Sequence, residues 1–251
     1  MVSVSRWFVG VGLLLAAASG SAQQVSQLKV VTEISPPHQT IIAGEVDGYS
    51  TRLVKAILSQ AGISATIEIY PWARAYRMAL QQPDTLIYNI ARTVERESQF
   101  QWIGPVATYR LGFVKLAHRQ DIQLKSLTEA QQYSIAVQRH DVAETFLKQN
   151  GFGQPDQLVL AADITESWQL LLHGKVDLII DDPMALAAMA AHFAIEPAYV
   201  KFEFAIKELE QQTYLAANKT MPAQMVNALQ QAHQKVADSE LFKKVMRSDF
   251  D

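Results

Sequence analysis

Two stretches of this chain are written to the same plan, and the plan leaves few folds open. MALQQPDTLIYN (78–89) and LLLHGKVDLIIDD (170–182) each end a helical pattern in a polar turn, place an Asp, and run an apolar strand into polar residues. The alternation extends around both. Before the first, residues 28–32 read as a strand, and Leu53, Val54, Ile57, Leu58 and Ala61 recur at helical spacing over 50–61 before Gly62. Residues 65–70 alternate like a strand, and Pro71 opens a helix over 72–81. Around the second, strands over 134–137, 157–160 and 176–180 alternate with helices over 141–149, 166–172 and 184–192. Strand–helix–strand in this order requires a mainly parallel sheet covered by helices.

The two halves share little identity, so they read as two lobes of one architecture rather than a repeat. Apolar runs at 111–116 and 199–206 flank the second lobe. Residues 212–217, followed by Met225, Val226, Leu229 and Val236 at helical spacing, read as a return to the first. The expectation is an α/β fold of two lobes joined by a two-segment hinge. Residues 23–108 and 209–251 form lobe one, and 109–208 form an inserted lobe two.

The start of the chain bears on compartment. Arg6 precedes an apolar run over 7–18, and Ser19-Gly20-Ser21-Ala22 supplies the small residues of a cleavage site. This is the three-part pattern of a secretory signal over 1–22, with the cut expected after Ala22 and the mature chain in the periplasm. The run is roughly half of the ~20 residues a membrane span requires, and no comparable segment follows, so a soluble mature chain is expected. Cysteine is absent, which excludes disulfides and thiolate chemistry. A formal net charge of −3 without basic blocks argues against nucleic acid or an anionic membrane as partner. The six histidines are dispersed, and no nucleophile elbow, phosphate loop or His-Glu-x-x-His pair is present, so no metal, cofactor or catalytic group is expected.

One feature resists a purely structural reading. In IYNIARTVERESQFQWIGP (87–105), Arg92, Glu95, Arg96 and Glu97 crowd together just after an apolar strand ends. Charges at such a place either lie in water or face a ligand crevice at the strand ends. On residues alone both readings stand.

The segments VDGYSTRLVKAI (46–57), PWARAYRMAL (71–80), IARTVERESQFQWIGP (90–105), KVDLIIDD (175–182) and TYLAANKTMPAQMVNAL (213–229) resemble the extracytoplasmic solute-binding proteins of family 3. These are amino-acid-type periplasmic proteins that serve ABC importers. The resemblance implies the type II periplasmic-binding-protein fold and capture of a small polar or zwitterionic, amino-acid-like ligand between lobes. It also implies permease subunits as partners, and a monomer is expected. It gives Arg96, in the Thr-x-x-Arg segment, the role of pairing with a ligand carboxylate, which its planar fork of donors suits. Thr93 would cap the short helix. Tyr88, Asn89 and Ala91 match cleft-lining positions, and Trp72 the position that packs on the ligand. Arg74 faces either the cleft or the helix exterior. Asp182 matches the carboxylate that receives the ligand amine, though Asp182 before Pro183 is also an N-cap. Asp181 takes whichever task remains.

The chain departs from the family pattern in two places. Gln138-Arg139-His140-Asp141 stands where the family has Gly followed by Ser or Thr, and Asp141 with Glu144 makes a capping box. His140 and Asp141 are therefore candidate cleft residues of altered role. Ser35-Pro36-Pro37-His38 replaces an aromatic, leaving Glu33 as a candidate ligand contact. Two other readings accompany the binding protein. One is an enzyme on the same scaffold, resembling cyclohexadienyl dehydratases, with Glu33, His140 or Asp182 as its acid. The other is a sensor for a signalling partner.

Overall fold

The computed structural model describes residues 28–247, and the leader expected over 1–22 lies outside the described residues. The chain begins with β1 (Leu28–Thr32), a small hairpin of β2 (Thr40–Ile42) and β3 (Glu45–Asp47), and α1 (Tyr49–Ala61). Next come β4 (Ala65–Ile69), α2 (Trp72–Gln81), β5 (Thr85–Ala91), the single-turn α3 (Val94–Glu97) and β6 (Phe100–Leu116). β7 (Ile135–Gln138), α4 (Val142–Gln149), β8 (Leu158–Ala161), α5 (Ile164–Leu172), β9 (Leu178–Asp181) and α6 (Leu186–His192) follow. β10 (Val200–Asn218), α7 (Ala223–Val236) and α8 (Glu240–Arg247) complete the described chain.

The main sheet has the strand order β4-β1-β5-β10-β6-β9-β7-β8. β1 pairs in parallel with β4 and β5, and β7 pairs in parallel with β8 and β9. Two parallel half-sheets result, as the alternating pattern requires. Between them run β6 and β10, antiparallel to each other and to their outer neighbours β9 and β5.

Each half-sheet packs on both faces, which explains why its inner strands β1, β5, β7 and β9 read as mainly apolar runs while β4 at the edge alternates. In the first, Val30 and Leu86 pack with Leu53, Ile57, Leu215 and Leu229 on the α1–α7 side. Their chain neighbours Val31 and Ile87 point the other way, against Trp72, Ala75 and Ile90 on the α2 side. In the second, Ile135, Val137 and Leu178 meet Phe113 and Leu147, while Ala136 and Ile179 meet Val114, Trp168 and Leu171. Each such large side chain contributes ~1.5–3 kcal/mol on burial. No helix among the described residues is long and apolar enough to cross a membrane.

The runs expected at 111–116, 199–206 and 212–217 are portions of β6 and β10, strands of 17 and 19 residues. Where these strands pass between the half-sheets their polar residues lie exposed, with Arg110 Nε 3.8 Å from Glu210 Oε1. That polar interruption splits the apolar pattern without ending the strand. Pairing jumps there from Ala205–Gly112 to Glu210–Arg110, so residues 206–209 bulge out of β10. Gly112 is required at this crossing, because a Cβ would fall 2.3 Å from the Phe204 carbonyl oxygen.

Candidate functional site

A cavity of about 60 Å³ opens where the C-terminal ends of the parallel strands of both half-sheets converge. Glu33 reaches it from the end of β1, Asn89 and Ala91 from β5, Gln138 from the end of β7 and Asp181 from the end of β9. Tyr109 on β6 and Thr213 on β10 line it from the crossing strands, and Trp72 and Asp141 from the first residues around α2 and α4. Strand ends supply polar groups here because the chain leaves the sheet and no longer faces the core.

One carbonyl of the second half takes two donors from the first. His140 holds a left-handed backbone at φ 65°, and its carbonyl oxygen accepts from Trp72 Nε1 and from an Arg96 Nη, both at 3.0 Å. Arg96 also donates to the Ala91 carbonyl at 3.2 Å. Its guanidinium carbon lies 5.4 Å from the centre of the Trp72 ring and 5.1 Å from that of Tyr76, within cation–π range. The arginine knot therefore divides its tasks. Arg92 forms a two-pronged pair with Glu97 at 2.6 and 2.7 Å near the surface, while Arg96 is buried at the seam.

Thr93 caps α3 as expected, accepting from the Arg96 N–H at 3.4 Å. The box at α4 is offset by one residue from the sequence expectation. Asp141 accepts from the Ala143 N–H at 3.3 Å, whereas Glu144 accepts from the His140 N–H at 2.5 Å. Glu144 thereby braces the strained residue whose carbonyl joins the two halves.

Burial dominates the electrostatics of the cavity. It lifts the Glu33 carboxyl well above its usual range, with the Asp141 and Asp181 carboxylates adding to the effect and Gln138 opposing it. Asp141 is raised for the same reason, though Arg96 pulls it back. Asp181 is pushed up to about 7 even though Trp168 Nε1 and the Asp182 N–H each donate to it at 2.7 Å. Among the described residues no group of His, Cys, Asp and Glu is arranged to hold a metal.

The residues singled out from sequence part into three sets. Glu33, Trp72, Asn89, Ala91 and Asp141 line the cavity. Arg96 and His140 seal the seam beside it. Tyr88, Arg74 and Asp182 do neither. Tyr88 is buried in the core, its hydroxyl 2.8 Å from Thr51 Oγ1, because an inward strand position faces α1 rather than the strand end. Arg74 is exposed on the outer face of α2, stacked 4.3 Å from the Tyr70 ring centre. Asp182 is occupied as a cap, accepting from the Arg110 N–H at 2.7 Å and the Met184 N–H at 2.8 Å, so Asp181 and not Asp182 lines the cavity. Gln138, Tyr109 and Thr213 were not picked out as site residues. Gln138 closes a strand and was open to the same argument as Glu33, whereas Tyr109 and Thr213 lie on crossing strands whose length the polar interruption hid.

No family model matches the sequence, and no curated protein matches it. Solved structures do match. A histidine kinase sensor domain with similarity to periplasmic binding proteins shares 15% identity over 89% of this chain and 95% of its own, with a TM-score of 0.77. An ancestral arginine-binding protein bound to arginine shares 19% over 90% and 98%, at 0.75. The arginine-, lysine-, histidine-binding protein ArtJ from Geobacillus stearothermophilus shares 15% over 87% and 94%, at 0.73. With paired half-sheets, two crossing strands and a cavity at their meeting point, the chain has the periplasmic-binding-protein fold.

Proposed function

We propose that this protein is a periplasmic solute-binding protein that captures a small polar or zwitterionic, amino-acid-like solute between two lobes and presents it to an ABC importer. The lobes are residues 23–108 with 209–251, and 109–208, turning about β6 and β10 where the polar crossing and the 206–209 bulge interrupt regular pairing. The observation that carries the reading is the cavity itself, which takes its polar lining from strand ends of both half-sheets. A ligand touching both halves favours the closed form by whatever it gains only there. Two or three charge-assisted hydrogen bonds at ~1.5–3 kcal/mol each, with packing on Trp72, suffice for micromolar affinity, about −8 kcal/mol.

Binding needs no catalytic step. The test is a thermal-shift screen of amino acids, amines and small organic acids against the purified mature protein, followed by calorimetry on the hits. A saturable ligand that is turned over would overturn the binding reading in favour of an enzyme. A second role has one specific support, the sensor domain among the structural neighbours. Reconstitution separates the two: ligand-dependent stimulation of a permease–ATPase complex marks an importer component, and of a membrane kinase a sensor.

A further inference from the structure

This inference rests on the cavity being the ligand site, and it concerns the charge of what enters. The residues lining the cavity include three carboxylates, Glu33, Asp141 and Asp181, and neither Lys, Arg nor His. Two side-chain atoms facing it are buried without a hydrogen-bond partner, Glu33 Oε2 and Gln138 Oε1, one from each half-sheet, and both are acceptors when the carboxyl is ionised. Two of the neighbouring donors are spent elsewhere. The Asn89 amide serves Gln39 and Tyr109, and Arg96 serves the Ala91 and His140 carbonyls. Buried polar atoms demand partners, so the missing component is a donor that also balances negative charge. The Trp72 and Tyr109 rings in the same wall suit an organic cation as well.

We propose that the cavity selects organic cations, small aliphatic amines and guanidines whose N–H groups bridge Glu33 of one half-sheet to Gln138 and Asp181 of the other, and that a ligand carboxylate is dispensable. About 60 Å³ accommodates a few water-sized groups, which fits a cationic head and a short stem. Entry of the cation is linked to proton loss. Burial raises Glu33 and Asp141 and pushes Asp181 up to about 7, so Asp181 keeps a share of its proton near neutral pH. Around Glu33 stand Asp141, Asp181 and Asp163, with the Tyr109 hydroxyl also buried nearby, and Arg96 acts on Asp141 from the seam. A bound ammonium or guanidinium stabilises the ionised forms, and the displaced protons pass to the buffer.

The test uses agmatine and putrescine as cations, arginine as a cation with a carboxylate, and glutamate and succinate as acids. Titration calorimetry at pH 7 is run in phosphate and in Tris, whose ionisation enthalpies differ. Agmatine and putrescine are expected to bind at least as well as arginine, glutamate and succinate to remain silent, and the observed heat to differ between buffers by the protons released. Glu33→Gln is expected to weaken agmatine at least tenfold and to reduce the buffer dependence, with its fold checked by circular dichroism. Binding of glutamate or arginine with agmatine and putrescine silent overturns the cation proposal and leaves the ligand site standing. Cation binding with no buffer dependence overturns the proton linkage. Silence from every compound overturns both the site and its preference.

Discussion

An Arg96 Nη donates to the His140 carbonyl across the meeting of the two half-sheets, at 3.0 Å. A buried guanidinium on a backbone carbonyl is a charge-assisted bond, and such bonds contribute ~1.5–3 kcal/mol. Arg96→Ala removes it together with the bond to Ala91 and the stacking on Trp72 and Tyr76. The expected outcome is a loss of about 2–4 kcal/mol in urea unfolding, with a larger radius of gyration in solution scattering as the halves part. An unchanged radius would mean that other contacts hold the seam.

Trp72 Nε1 donates to the same carbonyl, so the two side chains are not independent. Trp72→Phe keeps a ring beside Tyr76 but removes the donor and part of a buried indole, and should cost about 1–3 kcal/mol. Because one acceptor serves both donors, the double variant with Arg96→Ala should depart from additivity by roughly 0.5 kcal/mol or more. Strict additivity in the four-way cycle would show that the shared carbonyl does not couple them.

The cavity acids give a pH dependence of definite sign. Asp181 titrates at about 7 in the folded chain against an ordinary 3.8, so between these values the folded state holds a proton the unfolded state has lost. Stability from this group therefore falls as pH rises through that window, and Glu33, Asp141 and Asp182 act in the same direction. His38 opposes them. Burial lowers it from 6.5 to about 4, so its contribution grows as pH rises between those values and is level above. From pH 6.5 to 8 Asp181 acts without that opposition, and the melting temperature should decline. Asp181→Asn should flatten that decline. At pH 5 it should cost about 1–3 kcal/mol, since one amide oxygen cannot serve both the Trp168 Nε1–H and the Asp182 N–H. A steeper decline in the variant would refute the assignment.

Gly112 marks the crossing of the two long strands. An alanine there would press its Cβ against the Phe204 carbonyl and the Phe202 ring, and the backbone atom cannot swing aside. Gly112→Ala is expected to destabilise by ~1–3 kcal/mol or more. Amide exchange should quicken first in the paired segment from Val200 to Ala205, and protection unchanged there would show that the strands separate without penalty.

The parallel half-sheets were legible because both faces of their inner strands are covered, so those strands are mainly apolar and the run ends near the strand end. β1, β5, β7, β8 and β9 follow that rule within a few residues, and β4 at the edge was legible from its alternation instead. The crossing strands break it, since Arg110, Glu210 and Gln211 are polar in mid-strand, and continuity rests on pairing with a distant segment that no local pattern records. The site shows the same division. Glu33, Trp72, Asn89, Ala91 and Asp141 stand at element ends visible in the sequence, and the cavity is found there. Which of two adjacent aspartates faces it was not visible. Asp182 turns to the Arg110 N–H, a partner 72 residues away whose position is set by the tertiary fold. The resemblance gives Arg96 a ligand carboxylate as partner, whereas in the structure it is bonded to a backbone carbonyl placed by the φ of His140, which no residue type specifies.

A buried charge in the second half-sheet supplies a control remote from the cavity. Lys115 on β6 is 3% exposed, its ammonium 2.9 Å from Glu203 and also donating to the Arg119 and Ile122 carbonyls. Glu203 has a second cation, Lys201 at 3.1 Å, whose side chain is 60% exposed. Loss of one member of a buried pair usually costs about 3–5 kcal/mol because the other charge is left uncompensated. Lys115→Met keeps the stem's volume and leaves Glu203 with Lys201, so about 2–3 kcal/mol is expected, falling as pH drops and Glu203 takes up a proton. Ligand affinity should not change, because Lys115 lines no part of the cavity. A large loss of affinity at full folding would mean that the second half-sheet transmits strain to the site, and the picture of rigid halves turning about β6 and β10 would have to be abandoned.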